Sequence, residues 1–286
     1  MPATMNSLPE TLSFGRRLGH PRLLLSRMRD LNAFRLLCFA LILFQGAILA
    51  GCAHLLPGPQ DQPEARRLLD QIRSNGKAIS SFKGLARIRM ASNGRVMSGR
   101  IAIAAAAPDK MRVEWLNPMG QPVTSMNADG QHITLFSRID NTCRRFHQSA
   151  TGLAPLIHIP IGINDLYDIL IGSVPLPQDA FVQFKQDLSA SDTLVLNNRW
   201  HRTIADIQVD LTGPRPQFMR IFDGQGELGY EIQWLRWRHD GSGYDLPVRI
   251  DFRKDDGQRL TLTVERFWPN EKIPPSVFSA DHPADQ

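Results

Sequence analysis

The chain has 286 residues, 42% of them hydrophobic and 21% charged, with only 3 cysteines. That is the composition of a packed protein, and the length allows one large or two small domains. The formal charge of +5 is unevenly spread: residues 1–35 hold six arginines against Glu10 and Asp30, and the remainder carries 27 basic against 26 acidic side chains. A nearly neutral body lacks the Lys and Arg excess of an electrostatic nucleic-acid binder, so no nucleic-acid partner is expected.

Arg35 precedes an apolar run from Leu36 to Phe44, which continues past Gln45 through Gly46, Ala47, Ile48 and Leu49. About 13 residues is short for a membrane-spanning helix and right for the apolar region of a signal peptide. It ends in Leu49-Ala50-Gly51-Cys52, which reads as a bacterial lipobox. Small residues before the cysteine suit the cleft of the processing peptidase, and the Cys52 thiol is the atom that receives the lipid. Residues 1–51 are therefore expected to be a signal peptide, and Met28-Arg29 would start one of ordinary length. Cleavage leaves Cys52 as the lipidated terminus and Cys143 as the one free thiol, so no intramolecular disulfide is expected. Ala53, not aspartate, follows Cys52. In a Gram-negative cell that favours the outer membrane, lipid-anchored on the periplasmic face. Two or more acyl chains would hold it firmly.

Residues 52–63 contain three prolines and a glycine between His54 and Pro63 and read as a flexible tether; one domain is expected over 64–280, with 281–286 as a tail. Pro63-Glu64 opens a helix whose stripe holds Leu68, Leu69, Ile72 and Ile79. The period then changes to two. Phe82, Ala86, Ile88 and Met90 face one way, and Lys83, Arg87 and Arg89 the other. Asn93-Gly94 signals a hairpin into Val96–Ala106, followed by alternation at Met111, Val113 and Trp115. Further strands are expected at His132–Ser137, Cys143–His147, Ala180–Asp187, Thr193–Asn197, Thr203–Leu211, Gln217–Phe222 and Leu228–Trp237. A last hairpin pairs Val248–Phe252 with Leu260–Val264. Between Leu153 and Val174 two short apolar helices, split by Pro160, interrupt the rhythm. About eleven strands joined by short turns, an N-terminal helix and a helical lid predict a mainly β protein. Its expected form is an incomplete, open antiparallel β-barrel, monomeric.

Signals for covalent chemistry are weak. Gly224-Gln225-Gly226-Glu227-Leu228-Gly229 matches a dinucleotide-binding string, but the alternation at Tyr230, Ile232 and Trp234 makes it a hairpin turn. The histidines after Cys52, at 54, 132, 147, 158, 201, 239 and 282, have no metal-binding spacing, so neither metal nor cofactor is expected. Cys143 and His147 share a strand face, yet nothing orients them as a nucleophile pair, and the protein is not expected to be an enzyme. Trp200, Trp234 and Trp237 are either cavity walls or ordinary core. A bent sheet with an apolar concave face and an apolar lid makes a natural pocket. In Trp115-Leu116-Asn117-Pro118-Met119-Gly120-Gln121-Pro122 the turn residues place Met119 at a tip, either exposed or tucked in.

These motifs, in this order, resemble the LolB family of outer-membrane lipoprotein receptors. The resemblance rests on the lipobox, Ser81-Phe82-Lys83-Gly84, Gly99-Arg100-Ile101 and Asn117-Pro118-Met119-Gly120. It continues with Ile159-Pro160, then Leu166-Tyr167-Asp168-Ile169-Leu170-Ile171-Gly172 and Pro175. It covers roughly Pro63 to Pro175, and the second half agrees only in strand rhythm. The family fold is an open barrel lidded by helices, with an apolar cavity for acyl chains. The resemblance implies a non-enzymatic protein that takes acylated lipoproteins from a periplasmic carrier chaperone and inserts them into the outer membrane. Met119 occupies the position of the family's exposed loop leucine, so Met119 and Leu116 become the membrane-contact loop. Trp115, Ile163, Leu166 and Leu170 become the cavity. The alternative is an envelope-assembly lipoprotein that uses the same fold for another hydrophobic ligand or protein. A Cys143 hydrolase is a third class.

Overall fold

A computed structural model describes residues 60–279 apart from 93, 150, 151, 178, 186–192, 240 and 242, so the expected signal peptide, Cys52, most of the expected tether and the expected tail lie outside the described residues. Helix α1, Pro63–Lys77, starts with proline in its first turn and Glu64 beside it, and has Lys77 in its last turn, as the helix dipole favours. Ala65, Leu69 and Ile72 are fully buried on one stripe. Leu68 is only partly covered, and Ile79, placed on that stripe by its spacing, lies beyond the helix in the core.

Thirteen strands follow among the described residues, in one sheet. They are β1 Ser81–Ser92, β2 Arg95–Ala106, β3 Lys110–Leu116, β4 Pro122–Asp129, β5 His132–Ser137, β6 Thr142–His147, β7 Phe181–Phe184, β8 Thr193–Asn197, β9 Thr203–Asp210, β10 Arg215–Phe222, β11 Leu228–His239, β12 Asp245–Arg253 and β13 Arg259–Pro269. Helices α2, Ala154–Ile157, and α3, Ile163–Leu170, stand between β6 and β7, and a 3-10 turn, Pro275–Phe278, ends the described chain. The spatial order is β6-β5-β4-β3-β2-β1-β13-β12-β11-β10-β9-β8-β7, and every described pairing is antiparallel. The first and last strands thus meet in the middle, and two meanders run outward to the edge strands β6 and β7. The sheet is open, not closed into a barrel.

This topology makes the helical segment a strap. Because β6 and β7 are opposite edges, the chain from 148 to 180 has to cross the sheet. It does so with Leu153, Ile159, Ile161, Ile163, Tyr167, Ile169, Leu170, Ile171 and Val174 buried. A buried crossing must satisfy its polar groups internally. Leu153 N donates to Ile161 O at 3.1 Å, the Tyr167 hydroxyl to Ile79 O at 2.7 Å, and Trp234 Nε1 to Ile169 O at 3.2 Å.

One strand was absent from the sequence expectation. In β4, Ser125, Met126, Asn127 and Ala128 are consecutively buried, because the 3-10 turn and Phe278 cover the outer side. With both faces buried, burial no longer alternates along the strand, although Met126 and Ala128 still alternate in sequence with Ser125 and Asn127. The β7 edge is also covered. Gln62 N donates to Val182 O at 2.9 Å, while the Asp61 and Gln62 side chains accept from the Val182 and Phe184 amides, each at 2.9 Å. This satisfies an edge that would otherwise invite pairing.

Candidate functional site

Strand alternation sends Ile88 and Met90 of β1, Met97, Ile101 and Ile103 of β2, and Met111, Val113 and Trp115 of β3 to the concave side. There they meet Met126, Leu135, Phe252, Leu260 and Leu262 from the neighbouring strands. The strap roofs them with Leu153, Leu156, Ile157, Ile161, Leu166 and Leu170. The result is a cavity of about 470 Å³ in which Thr124 is the one lining residue that is neither aliphatic, aromatic nor methionine. That volume lies within the roughly 300–1,000 Å³ typical of small-molecule sites. Water entering it finds almost no hydrogen-bond partners, so an apolar occupant is favoured. Met90, Met97, Met111 and Met126 all contribute to the wall. Their unbranched, polarizable side chains let it adapt to flexible ligands.

Two glycines position the wall and its roof. A Cβ on Gly99 would lie 2.4 Å from Cε2 and Cζ2 of Trp115, so the indole lies across a position where only hydrogen fits. Gly172, just past α3, has φ +79°, and a Cβ there would sit 2.6 Å from the Trp237 ring. The roof also carries unusual carboxyls. Burial pushes Asp168 up to about 6, assisted by Asp165 and opposed by Arg73 and Lys77; burial likewise raises Asp165 and takes the Tyr167 hydroxyl to about 12.

Trp115, Leu166 and Leu170 lie on the cavity wall. Ile163, assigned there from sequence, is instead buried in the core and is not part of the lining: it shares a face of α3 with Leu166 and Leu170, but stands at the helix's first residue, one turn before the part of α3 that roofs the cavity. Met119 is 87% exposed. Its turn is built by Asn117, whose Oδ1 accepts from Met119 N at 3.0 Å and Gln121 N at 2.9 Å, with Gly120 at φ +83°. Leu116, half-buried, closes β3 opposite Pro122. None of the three candidate tryptophans lines the cavity. Trp234 is buried, Trp237 packs against the core from its edge, and Trp200 is exposed beneath Arg199.

The Gly224–Gly229 string spans the turn between β10 and β11 and the first two residues of β11, the turn being closed by Asp223 accepting from Gln225 N and Glu227 N. Cys143 is exposed on β6, with His147 four residues along the strand, about 13 Å away. That spacing exceeds hydrogen-bond reach, and His147 meets His132 edge-to-face instead. Cys52 lies outside the described residues. Ile139, at the cavity mouth and 74% exposed, was not singled out from the sequence. An isoleucine inside the polar turn Ser137-Arg138-Ile139-Asp140-Asn141 is the signal that pointed to it.

The fold is shared with several solved structures at low identity. A DUF1329 family protein from Desulfovibrio piger superposes with TM-score 0.58 at 10% identity, over 78% of this chain and 99% of its own. A LolA superfamily protein from Nitrosomonas europaea gives 0.52 at 15%, over 76% and 97%. A candidate outer-membrane lipoprotein-sorting domain from Vibrio parahaemolyticus gives 0.56 at 10%, over 76% and 96%. The likeness is one of fold: this open antiparallel sheet with its helical strap superposes on that of a LolA superfamily protein and of a lipoprotein-sorting domain. No protein-family model and no curated protein matches the sequence.

Proposed function

We propose that this domain takes acyl chains of lipoproteins into the strapped cavity and passes them to the outer membrane, where a lipid on Cys52 anchors it on the periplasmic face. The observation that carries this reading is the roofed cavity of about 470 Å³ with a nearly wholly apolar lining. Each methylene buried there contributes about 0.8 kcal/mol. A chain can therefore leave a weaker-binding carrier, rest in this cavity and move on to the bilayer without any covalent step. The partners are an acylated lipoprotein, its periplasmic carrier and the membrane, with Met119 and Leu116 touching the membrane at release.

The test uses the chain from Ala53, mixed with an acylated lipoprotein loaded on its carrier. Movement of the lipoprotein onto this chain is expected, with release into liposomes slowed by Met119→Glu. Absence of uptake from a competent carrier would remove the receptor reading.

A further inference from the structure

We propose that the domain seats on a bilayer through more than the Met119 turn: the free end of the β1–β2 hairpin and the β5–β6 turn form the seat, and arginines on the hairpin's outer face select anionic headgroups. The inference rests on the membrane-delivery reading above and names the lipid surface that it needs.

The first observation is the reach of the hairpin. β2 pairs with β3 only from Arg100, opposite Leu116; Arg95 to Gly99 pair with β1 alone. Five residues span about 17 Å, so the hairpin end stands well beyond the last rung of β3. It carries Val96 and Met97, 57% and 52% exposed. Met97 and Ile139 belong to the cavity lining while also facing solvent. Apolar surface thus runs from the cavity interior to the outside without a polar break. Met119 stands on the β3–β4 turn, which lies between these two hairpins in the sheet.

The second observation is charge on the other face of the same hairpin. Strand register sets Arg100, Arg87, Thr263 and Arg249 in one row across β2, β1, β13 and β12, and Ser98, Arg89, Thr261 and Asp251 in the next. Arg87 and Arg100 are directly opposed, an arrangement of like charges that costs stability. Both lean on the single carboxylate of Glu265, at 3.1 Å and 2.8 Å. Arg249 approaches Asp251 at 3.9 Å, which Arg253 and Arg259 also share. Arg89 has no carboxylate within ion-pair distance among the described residues. The four arginines and three hydroxyls line one groove. Acidic groups at the neighbouring tips are Asp140, Asp255 and Asp256, the last paired with Lys254 at 2.9 Å.

Apolar side chains at the end of an element with arginines on its flank are the arrangement of an interfacial anchor: the tips enter the acyl boundary and the cations meet phosphates. Isolated tips on separate hairpins suit a fluid bilayer, which closes around each, better than a rigid protein surface. In this seating the cavity mouth, rimmed by Met97 and Ile139, opens onto lipid.

The test is vesicle flotation of the chain from Ala53, which contains every described element, with phosphatidylcholine vesicles prepared with or without phosphatidylglycerol. The wild type is expected to favour the anionic vesicles and to lose that preference with salt. Arg87→Gln with Arg89→Gln should weaken anionic binding about fivefold per arginine at low salt and leave zwitterionic binding unchanged. Val96→Glu, outside the cavity, should weaken binding to both. Normal flotation of these variants, with loss only in Met119→Glu, would overturn the wider seat, as would wild-type chain that ignores anionic lipid. A fluorescent fatty acid titrated without vesicles reads the cavity separately. Failure there with normal flotation would remove the acyl-binding reading and keep the seat. Equal melting temperatures show that the variants are folded.

Discussion

Adding one methyl group at Gly99 tests how the cavity wall is built. An ideal Cβ there falls 2.4 Å from two carbons and 2.5 Å from Nε1 of Trp115. Carbon atoms in contact prefer about 3.5–4.0 Å, so the indole has to shift by roughly an ångström or more. Trp115 is hemmed in, opposite Ile101 on β2 and Thr124 on β4, and its ring forms part of the cavity wall. Overpacking of this kind costs about 1–3 kcal/mol. For a domain of this size each kcal/mol lowers Tm by about 2–4 °C, so Gly99→Ala should melt roughly 2–12 °C below the wild type. Thermal denaturation followed by circular dichroism measures this. Binding of a fluorescent fatty acid should weaken in parallel, because the displaced ring takes cavity space. Trp115→Leu in the Gly99→Ala background should relieve the clash. A double-mutant cycle should then show coupling of about 1 kcal/mol or more. A Gly99→Ala chain that melts like the wild type, or one that Trp115→Leu fails to relieve, would refute this packing.

Gly172→Ala should cost about 1–3 kcal/mol, because it combines φ +79° with a Cβ 2.6 Å from the Trp237 ring; chemical denaturation measures it. Asp61→Ala removes the acceptor of the Val182 amide and a salt bridge to Arg66 at 2.7 Å, so it should lower stability by about 1 kcal/mol and expose the β7 edge, read as faster aggregation by light scattering. Asp168 is raised to about 6 in the folded chain. The folded state therefore holds this proton more tightly than the unfolded state, and the cost of charging the buried group is absent below the unfolded carboxylate range. That cost grows as pH rises towards 6 and is complete above it. Asp168→Asn should accordingly stabilise the domain by about 1–3 kcal/mol at neutral pH and have little effect near pH 4, measured by melts across that range. Leu156→Gln, on the half-buried roof, should leave the melt nearly unchanged and weaken fatty-acid binding severalfold, because it sets a polar group against the ligand.

The parts of the fold legible in the sequence are those with one wet face. In β1 and β13 the alternation at Phe82, Ala86 and Ile88, and at Leu260, Leu262 and Val264, showed both the strand and its inward side. The turns at Gly226 and Gly257 were equally plain, since each glycine adopts positive φ. β4 was passed over although Met126 and Ala128 alternate with Ser125 and Asn127; that its polar face is also buried, under the C-terminal segment, is a contact between distant parts of the chain that no local period reports. The strap was visible as an apolar interruption. Which of its side chains enter the cavity was harder to read. Leu166 and Leu170, four residues apart, do so, whereas Ile163, three before Leu166, is drawn into the core. Trp200 misled for a similar reason, because a large aromatic in a turn carries no signal of which way it points. Met119 was identified as a tip from its turn residues, while its 87% exposure depends on how Asn117 folds the turn back on itself.

The most direct measurement places a photo-crosslinking amino acid at Leu135, on the cavity wall, and at Leu211, exposed on the β9–β10 turn outside the cavity. Each chain is mixed with an acylated lipoprotein on its carrier and irradiated, and the adducts are mapped by mass spectrometry. Adducts to the acyl chain at position 135, absent at 211 and absent with a non-acylated lipoprotein, are the expected result. Equal crosslinking at both positions, or adducts to the polypeptide alone, would contradict an acyl-binding cavity.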